Sequence, residues 1–161
     1  MSLLEDDATV AALRDQLRLL NDRLEVVQLC DRYVMHLDKD RSHDAWLETV
    51  FTDDVQLSFP FGQFQGIKGL AGFQEMARTT FARTHHLCAN HVVDLQGDSA
   101  RVRAHLMAVH VRESDEPAGH FDIGGHLEAE TVRTERGWRI RRFTFDLVWQ
   151  SGRAPAAKAG G

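Results

Sequence analysis

The period of the sequence changes at Thr84. Before it, apolar residues recur in steps of three and four; after it, they alternate with polar ones. His85–Leu95 reads as a strand, closed by the turn Gln96-Gly97-Asp98-Ser99. Ala100–Val111 reads as the next and runs into a polar loop, Arg112–Gly119. His120–Arg133 is a third, closed by Thr134-Glu135-Arg136-Gly137, and Trp138–Trp149 is the last. Turns this short join strands as an antiparallel meander. One face of that meander has to be buried, and the available cover lies upstream, in helices. The expected fold is therefore α+β: three N-terminal helices packed on a curved, mainly antiparallel sheet. Residues 1–150 form one domain, and 151–161, small and polar, is expected as a disordered tail.

The upstream half supplies the helices. Val10, Leu13, Leu17, Leu20, Leu24, Val27, Cys30, Val34 and Leu37 make one helical stripe. Ser42 is placed to cap a short second helix carrying Asp44, Ala45, Trp46 and Val50. Val55–Phe61 alternates as a strand. Gly66–Phe81 reads as a third helix, with Ile67, Leu70, Phe73 and Ala77 on its buried face.

At 161 residues, 43% apolar and 27% charged, the chain is long enough for a packed core. A net charge of −5 with interspersed signs argues against nucleic acid as a partner. No apolar run reaches membrane-spanning length, and the acidic start lacks the features of a signal peptide, so a cytoplasmic location is the expectation. Cys30 and Cys88 lack metal-type spacing and read as free, buried thiols.

Strand parity points to a pocket. Val102, Ala104, Leu106, Ala108 and His110 share a face, and so do Phe143, Phe145, Leu147 and Trp149. On the third long strand Phe121, Ile123, Leu127 and Ala129 share a face, with Arg133 at its end. An imidazole and a guanidinium at an aromatic-lined cavity suit a small, flat or polycyclic ligand.

Two segments carry candidate chemistry: Arg32-Tyr33-Val34-Met35-His36-Leu37-Asp38 and Thr84-His85-His86-Leu87-Cys88-Ala89-Asn90. Asp38 follows Val34 by four residues and continues the apolar stripe. Its place at a helix C-terminus leads us to expect a raised pKa. His86 opens a strand. A carboxylate that orients an imidazole is a general-base pair. Each residue also has a plainer reading: Asp38 as a solvated helix stop, His86 as a core or edge histidine, Tyr33 as a core aromatic, and His110 as a buried structural ring. By strand parity His86 and His91 point to opposite faces, as do His105 and His110, and no metal site is expected. The chain has no glycine-rich phosphate loop and no Gly-x-Ser-x-Gly elbow, which argues against nucleotide and serine-hydrolase chemistry.

Further residues complete a family pattern: Trp46, Phe51-Thr52-Asp53-Asp54, Phe64-Gln65-Gly66, Gly124-Gly125, Val132-Arg133-Thr134 and Gly137-Trp138-Arg139-Ile140. With the two segments above, over about residues 20 to 150, the chain resembles SnoaL-like proteins of the NTF2-like superfamily. The resemblance implies a cone-shaped α+β barrel with a ligand at its mouth, and a homodimer formed through the outer sheet face. The Asp and His positions are similar to those of scytalone dehydratase, lindane dehydrochlorinase and bile acid 7α-dehydratase. Carried over, Asp38 orients His86, His86 is the base, and Tyr33 donates a hydrogen bond to a leaving oxygen or an enolate. Candidate substrate contacts are His110, Arg133, Phe59, Asn90, Phe145 and Trp149. Leu37 stands where scytalone dehydratase has a second pocket tyrosine, and His126 where an aromatic residue is common.

The implied function is a cofactor-independent elimination on a cyclic or polyketide-like small molecule. Polyketide cyclase and ketosteroid-type isomerase are the neighbouring enzymatic readings. A non-catalytic binding module and a dioxygenase β-subunit-like protein are the others.

Overall fold

The computed structural model describes residues 3–113 and 116–155; most of the expected tail, 156–161, lies outside them. The order of elements is α1 (Leu3–Lys39), α2 (Leu47–Val50), β1 (Phe51–Phe59), β2 (Gly62–Gln65), α3 (Gly66–Thr80), β3 (Arg83–Gln96), β4 (Ser99–Val111), β5 (Phe121–Thr134) and β6 (Gly137–Gly152). The three helices pack on one six-stranded sheet of order β2-β1-β6-β5-β4-β3. Strands β3 to β6 form the expected antiparallel meander. The sheet curls without closing into a barrel, and β2 and β3 remain its edges.

Four features depart from the sequence reading. Strand β1 pairs with β6 in parallel, which makes the sheet mixed. A short strand, β2, folds back on β1 across Pro60-Phe61. Ser42 caps nothing: α2 is a single turn starting at Leu47, with Trp46 at its N-cap and no side-chain cap. Strand β6 runs on through Ser151 and Gly152, into the stretch expected as tail.

The stripe on α1 is buried only in part. Every described side chain from residue 7 to 21 is exposed, including Leu13, Leu17 and Leu20 at 53–62%. Burial begins at Asp22 and continues through Val26, Leu29, Cys30, Tyr33 and Val34. These side chains meet Val102, Ala104, Leu106, Phe143 and Phe145 on the concave face of the sheet to form the core. On β4 the predicted parity holds residue by residue from Ala100 to Ala108. Gly66, at φ +70, starts α3 in a left-handed conformation that costs glycine little. Among the described residues no helix is long and apolar enough to cross a membrane.

Candidate active site

The last turns of α1 lie across the start of β3. Four residues after buried Val34, Asp38 faces the sheet and meets His86. Asp38 Oδ1 accepts hydrogen bonds from His86 Nδ1 at 2.7 Å and from the Thr84 hydroxyl at 2.9 Å. Its Oδ2 accepts the backbone N–H of His86 at 2.8 Å. The two side chains are 11% and 10% exposed. Burial alone pushes the Asp38 carboxyl up. The His86 ring, the His86 backbone N–H and the Thr84 hydroxyl overcome this and hold it below its ordinary value. The raised pKa expected from the helix terminus is therefore reversed, because three donors at hydrogen-bond distance outweigh a half-charge of the helix. Asp38 is an anion at neutral pH.

With Nδ1 donating to the carboxylate, Nε2 is the ring nitrogen of His86 left for a substrate. His86 lines a cavity of about 900 Å³, near the upper end of small-molecule sites. His110 lines it too, with ring centroids 5.6 Å apart and planes at 85°. His110 Nδ1 donates to Phe121 O at 2.8 Å, so its Nε2 is likewise left free. Its ring lies 4.8 Å from that of Phe81 and 5.6 Å from that of Phe121. Desolvation in this apolar setting lowers its pKa to about 4, so His110 is neutral at pH 7.

Tyr33 is 2% exposed and forms part of the wall, packed edge-on by Phe51 and Phe143 at 5.1 and 5.3 Å. Burial raises its phenol well above the ordinary value, so it remains protonated. Phe59, Phe73 and Phe145 line much of the remaining wall.

Of the predicted site residues, Asp38, His86, Tyr33, His110, Phe59 and Phe145 come together here, and Asn90, Arg133 and Trp149 do not. Arg133 is at the far end of β5, ten residues or roughly 30 Å from cavity-lining Ile123. There it pairs with Asp22 at 2.6 Å and Asp98 at 2.8 Å and stacks on Trp138. Trp149 is turned outward by a bulge: β6 places one extra residue between the partners of Gly125 and Gly124. Beyond the bulge the parity is inverted. Gln150 reaches the cavity, and the Trp149 indole lies over Gly124, in the space a Cβ would need. Asn90 sits at a bulge of β3 with φ 60, exposed, within 3.1 Å of His105 Nδ1.

Three residues of the site were missed. Arg41 lines the cavity and donates to Thr84 Oγ1 at 3.3 Å and to Phe81 O at 2.6 Å, bracing the hydroxyl that holds Asp38. Gln74 is 6% exposed, lines the cavity from α3, and has no hydrogen-bond partner among the described residues. Its signal was available: a carboxamide four residues after Leu70 on an apolar helix face. Thr84 and Arg41 had no comparable signal.

Residues 18–144 match the model of the SnoaL-like domain family. No curated protein matches the chain. Solved structures do. An NTF2-like protein with a cystatin-like fold from Novosphingobium aromaticivorans is 26% identical, with 91% of this chain and 93% of that chain covered and a TM-score of 0.73. A provisionally named scytalone dehydratase from the same organism is 21% identical, with 86% and 91% covered and a TM-score of 0.75. A hexachlorocyclohexane dehydrochlorinase is 16% identical, with 90% and 97% covered and a TM-score of 0.74.

Proposed function

The chain belongs to the SnoaL-like domain family, and on that premise we propose that it is a lyase that eliminates water from a cyclic or polyketide-like small molecule, with His86 as base. The observation that carries this reading is the His86 ring, held by Asp38 on one nitrogen and facing an apolar cavity with the other. His86 Nε2 takes a proton from the carbon next to a carbonyl. The imidazolium so formed is balanced by Asp38, already an anion 2.7 Å away. The C–H electron pair becomes a C=C bond, the neighbouring C–O bond breaks, and the departing hydroxyl takes the proton held by the His86 imidazolium and leaves as water, which restores the neutral ring. Tyr33 and the Gln74 carboxamide are the donors proposed to hold the substrate oxygens. Aromatic walls exclude water, which strengthens each of these interactions. The two relatives named for eliminations have the same fold, and that fits the reading.

The test is a panel of cyclic β-hydroxy ketones, followed by the ultraviolet absorbance of the conjugated product. Wild type is expected to turn over at least one compound, and Asp38→Asn and His86→Gln to fall by about 10²–10⁴-fold. Turnover unchanged in both variants overturns the assignment. We further propose a homodimer through the outer sheet face, where the cross-strand pair Leu87 and Met107 is 57% and 48% exposed. Sedimentation of wild type beside Leu87→Asp tests it, the variant being expected to dissociate.

A further inference from the structure

Two turns before Asp38 on α1, and two to five residues after His86 on β3, a second set of side chains converges outside the cavity. Asp31 Oδ1 lies 3.3 Å from His91 Nε2, and Cys88 Sγ lies 3.2 Å from the same nitrogen. The three ligand-type atoms all fall within 4.8 Å of one another.

This arrangement depends on backbone. Between Ala89 and Val92, β3 carries one residue more than β4 opposite it. Asn90 absorbs the excess in a left-handed conformation and turns outward. His91 is thereby moved to the face of His86 and Cys88, which faces α1, so the parity expected for His86 and His91 is reversed. Without the bulge, Cys88 and His91 would point to opposite sides of the sheet.

A cysteine, a histidine and a carboxylate also make up a nucleophilic relay, but a relay uses both ring nitrogens, one toward the thiol and one toward the acid. Here thiol and carboxylate approach a single nitrogen. A ring nitrogen with a sulfur and a carboxylate oxygen gathered about it, all three within 4.8 Å of one another, is the pattern of a coordination sphere. For a tetrahedral ion with Zn–N near 2.0 Å, Zn–O near 2.1 Å and Zn–S near 2.3 Å, the ligand–ligand edges are about 3.4 Å for N···O and about 3.6 Å for S···N. The observed 3.3 and 3.2 Å need only small side-chain rotations to match. The His91 side chain is 12% exposed and that of Asp31 is 50% exposed, so the cluster is walled by protein on one side and open to water on the other. That leaves an entry path and a fourth position for solvent.

We propose that Asp31, Cys88 and His91 bind a divalent transition-metal ion of the zinc class, clamping α1 to the edge strand β3. The ion takes no part in the chemistry proposed for the cavity. It fixes the helix about 10 Å upstream of Asp38, where the helix is held to the sheet on one side.

The probe is Co²⁺, titrated into the reduced full-length protein with a phosphine reductant present, followed by Zn²⁺ in competition. One equivalent is expected to give both a thiolate-to-cobalt charge-transfer band and tetrahedral visible bands, which Zn²⁺ erases. Cys88→Ala should remove the charge-transfer band, and His91→Ala should weaken binding at least about 100-fold. Asp31→Asn, at an exposed position, should weaken it less, and Cys30→Ala should leave it intact. Zn²⁺ at 100 times its Kd should raise the wild-type Tm by roughly 5 °C or more, and that of Cys88→Ala not at all. Absence of a charge-transfer band in wild type overturns the site, as does a band that survives in Cys88→Ala or is lost in Cys30→Ala.

Discussion

His86 and His110 face one cavity 5.6 Å apart, each with Nδ1 donating to the protein and Nε2 left over. They differ in what receives that donated proton. For His86 it is a carboxylate that three hydrogen bonds keep ionised; for His110 it is a neutral carbonyl, with the rings of Phe81 and Phe121 packed close by. A proton arriving on His86 completes an ion pair. One arriving on His110 makes a cation with no carboxylate in hydrogen-bond contact, where desolvation outweighs the more distant Asp122 and Asp38. Identical side chains in identical tautomers thus differ in environment, and the proposed reaction uses that difference: His86 to accept a proton, His110 to stay neutral and accept a hydrogen bond.

The contrast is testable by degrees. The largest effect is expected from His86→Gln, a loss of about 10³-fold in turnover of any substrate found by the panel. An equal loss in His110→Gln would erase the distinction. Next comes pH. His110 has a folded pKa near 4 against 6.5 unfolded, so the unfolded chain binds the extra proton first. Stability is therefore full above pH 6.5 and declines as pH falls toward 4, by about 3 kcal/mol in all. Urea unfolding at steps of pH should show this slope in wild type and lose it in His110→Gln. Asp38, whose folded pKa is depressed, contributes a separate loss below its unfolded value of 3.8, which Asp38→Asn should remove. A smaller effect is predicted for His110→Gln on catalysis: about 10-fold, mostly in KM, the scale of one hydrogen bond. The smallest is Thr84→Val. It removes one of three donors to Asp38 and should cost a few-fold in rate, with the acid limb of the rate profile shifted upward.

Much of this was legible before any coordinates. The meander and the inner face of β4 follow from period and order; the meeting of Asp38 with His86 was only allowed by them, as a helix laid across a sheet brings its buried face to the strand it crosses, and the family resemblance is what paired the two. Failures of parity came where strands are irregular. One extra residue in β6 moved Trp149 out and Gln150 in, and one extra residue in β3 brought His91 beside Cys88. A bulge leaves almost no mark in composition, yet it inverts every assignment beyond it. Arg133 failed for another reason. Parity gave its face correctly but not its distance along the strand, and it serves Asp22, whose carboxyl the Arg133 guanidinium holds below its ordinary value. The exposed leucines of early α1 show the limit of periodicity: an apolar stripe states what a helix is able to bury, and the length of the sheet decides how much of it is covered.

The parallel pairing of β1 with β6 also has a meaning in time. Phe51 aligns with Ile140, so the sheet's first strand waits for its last. On the ribosome the helices and the β1–β2 hairpin emerge long before the strand that joins them to the meander. Until then the hairpin is bound to the rest of the sheet by nothing, and the aromatic floor of the cavity, Phe143 and Phe145, has not been made. Assembly of the site therefore waits for β6, and a chain that stops short of that strand has its proposed base and a chamber without its floor.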